Sequence, residues 1–360
     1  VLKLREQLTS QRDKRFSGYM SQDRSLSAYL NYHFPLHLPE LFWIFEQNSK
    51  HLSKASFERV LDLGAGPGTA SLSLLLWMKY QNSKEKKSKI PSDPKSLHLF
   101  DVSAKALVAA EQLIQVLSNC EIKKERGNLR EDLSKLRNAY DLIILSHVLN
   151  EFGNGPRHRE RKAQLIDRLA IDFLEPGSHM ILIEPPLREP CLDLQWLRDL
   201  IANENLGGLE IVGPCPTKVE LCPLSFESKG WCYAQPPRTE ARALGLAPWD
   251  QRLEKMATVQ LTHPGFSYLL LRKKSLNLSE KIETDHAIAI SDNRTRPAWI
   301  CSHGRNVKFN SKTNPHRGAY LRPEKVHASR KSANTETSKT QAPNKHFEKR
   351  RFVKNKKPSF

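Results

Sequence analysis

Residues 57–69 read Phe57-Glu58-Arg59-Val60-Leu61-Asp62-Leu63-Gly64-Ala65-Gly66-Pro67-Gly68-Thr69, and this stretch decides the fold. A short apolar run with strand character (57–63) stops at three glycines on alternate positions, and a helical pattern over 69–80 starts directly after them. Apolar strand, glycine turn and helix together make the opening unit of a parallel α/β sheet. Glycine admits positive φ and lets a ligand lie against bare backbone. The first turn of the following helix offers N–H groups that have no partner inside the helix. Taken alone, Gly-x-Gly-x-Gly at such a junction also serves as a purely structural turn.

Outward from that unit the period keeps alternating. Strand character returns at 97–102 (LHLFDV), 140–146 (YDLIILS) and 179–184 (HMILIE), with helices predicted over 104–117 and 162–173. The stretch around Cys191 (CLDLQWLRDLI) reads as a helix, and 209–212 and 266–272 (FSYLLLR) as further strands. Strands alternating with helices imply a parallel sheet covered on both faces. Residues 1–50 read as helices, with Pro35 and Pro39 punctuating the last two segments. Residues 81–94 are polar and lysine-rich and read as a loop. The runs 287–290, 299–301 and 307–309 suggest a small β appendage.

Two acids make the glycine turn more specific. Asp62 precedes the glycines where a methionine ammonium group needs a carboxylate, and Asp101 ends the second strand, where ribose hydroxyls are usually held by an acid. No Lys-Ser/Thr follows the glycines, which argues against a phosphate-binding ATPase, and the spacing Gly64, Gly66, Gly68 differs from the Gly-x-Gly-x-x-Gly of NAD enzymes. The pattern resembles the class I methyltransferases. The resemblance implies a Rossmann-like α/β fold and S-adenosylmethionine contacts from Asp62, Gly64, Gly66, Gly68 and Asp101. After the strand at 140–146 comes His147-Val148-Leu149-Asn150-Glu151-Phe152. This lacks the Asn/Asp-Pro-Pro-aromatic motif of amino-group methyltransferases and the nucleophilic cysteine of cytosine-C5 enzymes. No catalytic residue is therefore assigned, and Asn150 and Glu151 keep two readings: substrate contacts, or caps of the next helix.

A formal net charge of +18 on 360 residues points to a polyanionic partner, most simply a nucleic acid. Residues 322–360 carry 12 Lys/Arg against 3 Asp/Glu, so half of the excess sits in a tail without apolar periodicity, expected to be disordered when free and to grip phosphate. No run approaches the roughly 18 apolar residues of a membrane span, so no membrane partner is expected. Arg5, Glu6, Arg12, Asp13 and Lys14 break any secretory signal. The chain starts at Val1 rather than Met, which leaves room for a removed organelle presequence.

Without a secretory signal, clustered cysteines suggest metal before disulfide. Cys215, Cys222 and Cys232 fall within 18 residues, two of them followed by proline, in a loop with little apolar periodicity. Thiolates suit zinc or an iron–sulfur cluster, and both usually take four. Cys301, in PAWICSHG, is the candidate fourth ligand. Cys120 and Cys191 read as structural thiols.

The succession of glycine turn, Cys-Pro…Cys-Pro…Trp-Cys, Phe-Ser-Tyr-Leu-Leu-Leu-Arg-Lys and an isolated Cys-x-x-Gly resembles one family: the methyltransferase-like small-ribosomal-subunit proteins of mitochondria and their bacterial relatives. The similarity runs from about Ser21, through Asp141-Leu142-Ile143-Ile144 and Leu149-Asn150-Glu151, to about Tyr320. It implies a 4Fe–4S cluster on Cys215, Cys222, Cys232 and Cys301 and a role in small-subunit assembly or translation. The location implied is the cytoplasm in a bacterium and the mitochondrial matrix in a eukaryote. On this reading the chain divides into a helical cap (1–55), a methyltransferase-like domain (56–273) that includes the Cys-rich loop 213–235, a β appendage (274–321) and a basic tail (322–360). The cluster would turn Arg294, Arg296, Arg305, Lys308, Lys312 and Arg317 toward rRNA. The rival expectations are an active rRNA methyltransferase with structural zinc and a non-catalytic RNA-binding scaffold.

Overall fold

The computed structural model describes residues 19–55, 57–84, 91–136, 139–215, 221–222, 224, 231–236, 265–275, 287–290, 298–302, 305–309 and 315–321. The basic tail, residues 1–18, most of the loop 216–230, and Arg294, Arg296 and Lys312 lie outside the described residues.

The glycine turn sits between β1 (Arg59–Leu63) and α3 (Thr69–Lys84), behind a long helix α1 (Asp23–Gln47) and a single turn α2 (Ser49–Leu52). There follow β2 (Ser96–Asp101), α4 (Ala104–Leu117), β3 (Glu121–Arg126), β4 (Tyr140–Ser146), α5 (Pro156–Asp172), β5 (Leu174–Glu184), α6 (Arg188–Glu204), β6 (Leu209–Gly213) and β7 (Ser267–Lys273). Seven strands form one sheet in the order β3-β2-β1-β4-β5-β7-β6. β1 to β5 run parallel, and β7 lies antiparallel between β5 and β6. This is the Rossmann-like class I methyltransferase arrangement. The order reverses between β2 and β4 on either side of β1, so the crevice for a ligand opens beyond the carboxyl ends of those strands.

Strand alternation divides the core between two faces. Val60, Leu142 and Ile144 pack with the buried sides of α1, α3 and α4, while Leu61, Leu63, Ile143 and Leu145 pack with α5 and α6. The prolines expected to punctuate the N-terminal segments do not: α1 runs through both Pro35 and Pro39. Each proline in a helix interior costs about 3 kcal/mol. That cost is offset because Leu38, Leu41, Phe42, Trp43, Ile44 and Phe45 are all buried in the core, at roughly 1.5–3 kcal/mol for each large apolar side chain. The Ser73 hydroxyl of α3 also donates to the Leu38 carbonyl at 2.8 Å, in the proline-bearing turn.

Further differences from expectation concern element boundaries and one whole strand. The helix after the glycines continues beyond 80 to Lys84, and α5 begins at Pro156 rather than 162, with proline in the first turn where its missing N–H is harmless. β3 (EIKKER) was not expected at all. It is an edge strand paired only with β2, and its charged side chains leave no apolar alternation to detect.

The appendage is a second, antiparallel sheet in the order β10-β9-β8-β11, from β8 (Ala287–Ala289), β9 (Ala298–Ser302), β10 (Arg305–Phe309) and β11 (Tyr320–Leu321). Tyr320 fastens it to the main body: its hydroxyl donates to Asn48 Oδ1 at 3.0 Å and lies 3.0 Å from the Tyr268 hydroxyl of β7. Among the described residues no helix is long and apolar enough to cross a membrane.

Candidate functional site

β1 delivers Asp62 and the glycine turn to the crevice. The Gly64 and Ala65 N–H groups both donate to the Phe100 carbonyl of β2, at 2.8 and 3.1 Å, which folds the turn back over that strand. Gly64 has φ +72°, and a Cβ there would stand 2.3 Å from Val148 Cγ2, so only glycine fits. Asp62 is 1% exposed and accepts from the Ser71 N–H at 3.2 Å and the Ser71 hydroxyl at 2.7 Å. Burial pushes its carboxyl up to about 6, with Ser71 opposing and Asp101 adding. Asp101 accepts from the N–H groups of Gly66 at 2.9 Å and Ser103 at 2.8 Å, and burial pushes it up to about 6 as well. The two expected acids thus share one crevice. They stand where a bound cation and hydroxyl donors would relieve the cost of their charge.

The N-terminal segment closes over this crevice. A Cβ on Gly66 would lie 3.4 Å from the Met20 sulfur. Tyr29 of α1 stands beside Thr69; burial pushes its phenol up, and the nearby carboxylates of Glu40, Asp101 and Asp62 add to that. On the next turns of α1, His37 Nδ1 lies 3.0 Å from Glu40 Oε1, and Glu40 Oε2 lies 2.9 Å from Nε2 of His147, the residue after β4. Burial pushes the Glu40 carboxyl up, but the two imidazoles outweigh it and hold the carboxyl below its ordinary value. Asn150 is buried and is not the N-cap of α5, a position held by Gly155. Its side-chain amide donates to the His147 carbonyl at 2.8 Å, and its N–H donates to Glu184 at 3.1 Å. Glu151 receives an Arg130 guanidinium on its carbonyl at 2.6 Å.

The structure brings the four expected cysteines together across the sequence. Cys222, Cys232 and Cys301 pack with Leu224 and Ile290, and Cys215 joins them from the end of β6. Burial first, and the neighbouring sulfurs second, push Cys222 up to about 11 and Cys301 up to about 12. Cys232 is driven well above the ordinary thiol value, first by burial and then by Cys222 and Cys215. Burial also raises Cys215, opposed by the Arg198 guanidinium beside it. Crowded thiolates are costly in such a place unless a metal group neutralises them. Helix α6 supplies the frame: Gln195 Nε2 lies 3.7 Å from Cys222 Sγ, Gln195 Oε1 accepts from the Cys232 N–H at 3.2 Å, and Asp199 accepts from the Cys222 N–H at 2.8 Å. Cys191 stays apart, buried on α6 with its thiol 3.6 Å from the Pro185 carbonyl; Cys120 packs against the opposite core face near Ser118.

The family model described as "Mitochondrial small ribosomal subunit Rsm22" matches residues 25–281. The chain belongs to this family. No curated protein matches this Rsm22-family chain in sequence. Among solved structures, an rRNA methylase from Streptococcus thermophilus is 14% identical, with 63% of this chain and 93% of its own aligned at a TM-score of 0.35. A ribosomal protein L11 methylase from Lactobacillus delbrueckii subsp. bulgaricus is 14% identical over 64% of this chain and 78% of its own, at 0.33. The plantazolicin methyltransferase solved with a desmethyl analogue and SAH is 14% identical over 76% and 95%, at 0.34. The fold assignment rests on strand order rather than on these scores.

Several residues of the site escape a reading of the sequence. His37 and Glu40, at i and i+3 on one helix face, carry a weak local signal; their meeting with His147 carries none. Arg198 and Arg317 were also missed as partners of the cysteines. Arg317, expected to be turned toward rRNA, is half-buried and donates to the carbonyls of Trp231 at 2.5 Å and Tyr233 at 3.2 Å and lies 3.7 Å over the Tyr233 ring.

Proposed function

We propose that this Rsm22-family chain is an RNA-associated protein of the small ribosomal subunit that acts in its assembly or in translation. On this reading it binds S-adenosylmethionine through Asp62, Gly64, Gly66, Gly68 and Asp101 and holds a 4Fe–4S cluster on Cys215, Cys222, Cys232 and Cys301. The family match over residues 25–281 supports the ribosomal role and, in a eukaryote, a mitochondrial matrix location. The single observation that carries the cluster reading is the gathering of Cys301 with three cysteines some seventy to ninety residues earlier in the chain.

The residues fit both groups. Asp62, lifted by burial, lacks only a cation, and the glycine turn admits no side chain at Gly64. The four thiols form an apolar nest flanked by Arg198 and Arg317, two cations that offset thiolate charge. A bound cluster supplies a rigid, redox-active cross-link between the Cys loop and the second sheet. Gln195, Asp199 and Arg198 hold the ligand segments in place for it.

Anaerobic purification followed by iron, sulfide and zinc analysis tests this. The wild type and the Cys120→Ser and Cys191→Ser proteins are expected to carry iron and sulfide in equal amounts, and Cys301→Ser to lose both. Zinc without sulfide in the wild type overturns the cluster, and full iron in Cys301→Ser removes that residue from the ligand set. Salt-resistant co-sedimentation with small subunits, absent after unfolding the protein, tests the ribosomal part.

A further inference from the structure

We propose that His37, Glu40 and His147 form a second metal site, separate from the cysteines, that takes a single divalent first-row ion such as zinc or ferrous iron. The ligand atoms of all three lie within 4.8 Å of one another. Two imidazole nitrogens stand 3.0 and 2.9 Å from the two oxygens of one carboxylate, the edge lengths that neighbouring ligands on one ion also have. Two imidazoles and a carboxylate are a donor set for zinc or non-haem iron, and three protein ligands leave room for a water or a ligand oxygen.

The parts are held in place before any ion arrives. His37, between Pro35 and Pro39, and Glu40, directly after Pro39, share a face of α1 where buried neighbours fix the backbone. His147 has φ +60°, a conformation uncommon outside glycine. Its backbone is tied on both sides: the His147 N–H donates to the Ile183 carbonyl at 2.7 Å, and its carbonyl accepts from Asn150. That anchored turn aims the ring at Glu40, with the two imidazole centroids 4.1 Å apart. Strained backbone sustained by its surroundings is characteristic of functional positions. Glu40 is 3% exposed whereas His37 and His147 remain partly open, which provides an entry path.

The position gives the ion a role. Val148, the residue after His147, stands so close to Gly64 that a Cβ there would lie 2.3 Å from its Cγ2, so the triad borders the glycine turn of the proposed nucleotide crevice. An ion there would clamp α1 to the turn after β4 and present an open coordination position next to that crevice.

The test is a cobalt(II) titration of the full-length, anaerobically purified protein, followed by visible absorption and equilibrium dialysis. About one cobalt per chain is expected, with weak d–d bands and no sulfur-to-metal charge transfer, and the same signal in Cys301→Ser. His147→Gln and His37→Gln should each weaken it at least tenfold. His37→Gln alters a partly exposed helix position, and its melting midpoint in chelator should equal that of the wild type. The proposal is overturned by no cobalt uptake, by uptake with sulfur charge transfer alone, or by wild-type titrations in both histidine variants; any of these leaves three hydrogen-bonded side chains and no ion.

Discussion

Affinity for S-adenosylmethionine is expected to fall about tenfold from about pH 7.5 to about pH 5, with Asp62 as the main cause. In the free protein burial holds the Asp62 carboxyl at about 6 against an ordinary 3.8. At about 1.4 kcal/mol for each pH unit, that gap represents about 3 kcal/mol held against the ionised form. The ligand's ammonium favours the ionised form, so binding must expel a proton wherever free Asp62 carries one. Above about pH 6 the carboxyl is already ionised and affinity is at its plateau. Below it, affinity drops roughly tenfold per pH unit until the carboxyl of the complex also protonates. Asp101, likewise lifted to about 6, meets hydroxyls rather than a cation, and adds less. Calorimetry across this range, in buffers of different ionisation enthalpy, measures both affinity and proton release. Asp62→Asn should weaken binding at neutral pH by one to two orders of magnitude, from the loss of about 1.5–3 kcal/mol of charged hydrogen bonding, and leave only the smaller slope due to Asp101. A flat wild-type profile, or a slope undiminished in Asp62→Asn, refutes the reasoning.

Gly64→Ala combines about 1–2 kcal/mol of left-handed backbone strain with a clash against Val148, and should lower both the melting midpoint and ligand binding, read by thermal melts and calorimetry. Lys162 and Asp193 form a fully buried pair at 2.7 Å, and Lys162→Met should cost about 3–5 kcal/mol in urea unfolding by leaving Asp193 buried without one of its two cationic partners. A cost below about 1 kcal/mol would show that Arg159 and the Gly155 N–H suffice for that carboxylate. Burial holds His98 at about 4 and His179 at about 3, below the ordinary 6.5. The unfolded chain therefore binds more protons below pH 6.5, and the stability these residues contribute, complete above 6.5, is lost as pH falls toward 4. Asp62 and Asp101, lifted to about 6, act in the opposite sense between 3.8 and 6. The histidine contribution is therefore read as the difference between wild type and His98→Gln in urea titrations over that range, and an identical pH slope in the two would refute it.

Legibility in the sequence followed local periodicity. α4 and β4 lie where their patterns place them, because each is a single run whose apolar positions repeat at one period and end at a sharp break. β3 was invisible because an edge strand with solvated charges has no alternation to read. The course of α1 through two prolines is illegible for the opposite reason: local propensity forbids it, and burial of its apolar residues against the sheet overrides propensity.

The sequence by itself determined the methyltransferase-type fold, the paired acids Asp62 and Asp101 and the candidate cysteine set, since each is written in residue types at short or recognisable spacing. Only the tertiary structure decided which side chains share a place. His147 meets Glu40 across 107 positions, Tyr320 meets Asn48 across 272, and Arg317 meets the Trp231 carbonyl across 86. The physical reason is that burial and pairing energies depend on distance in space. A chain that pairs β1 with β4 and β4 with β5 sets those distances through its core packing, which no window of sequence contains.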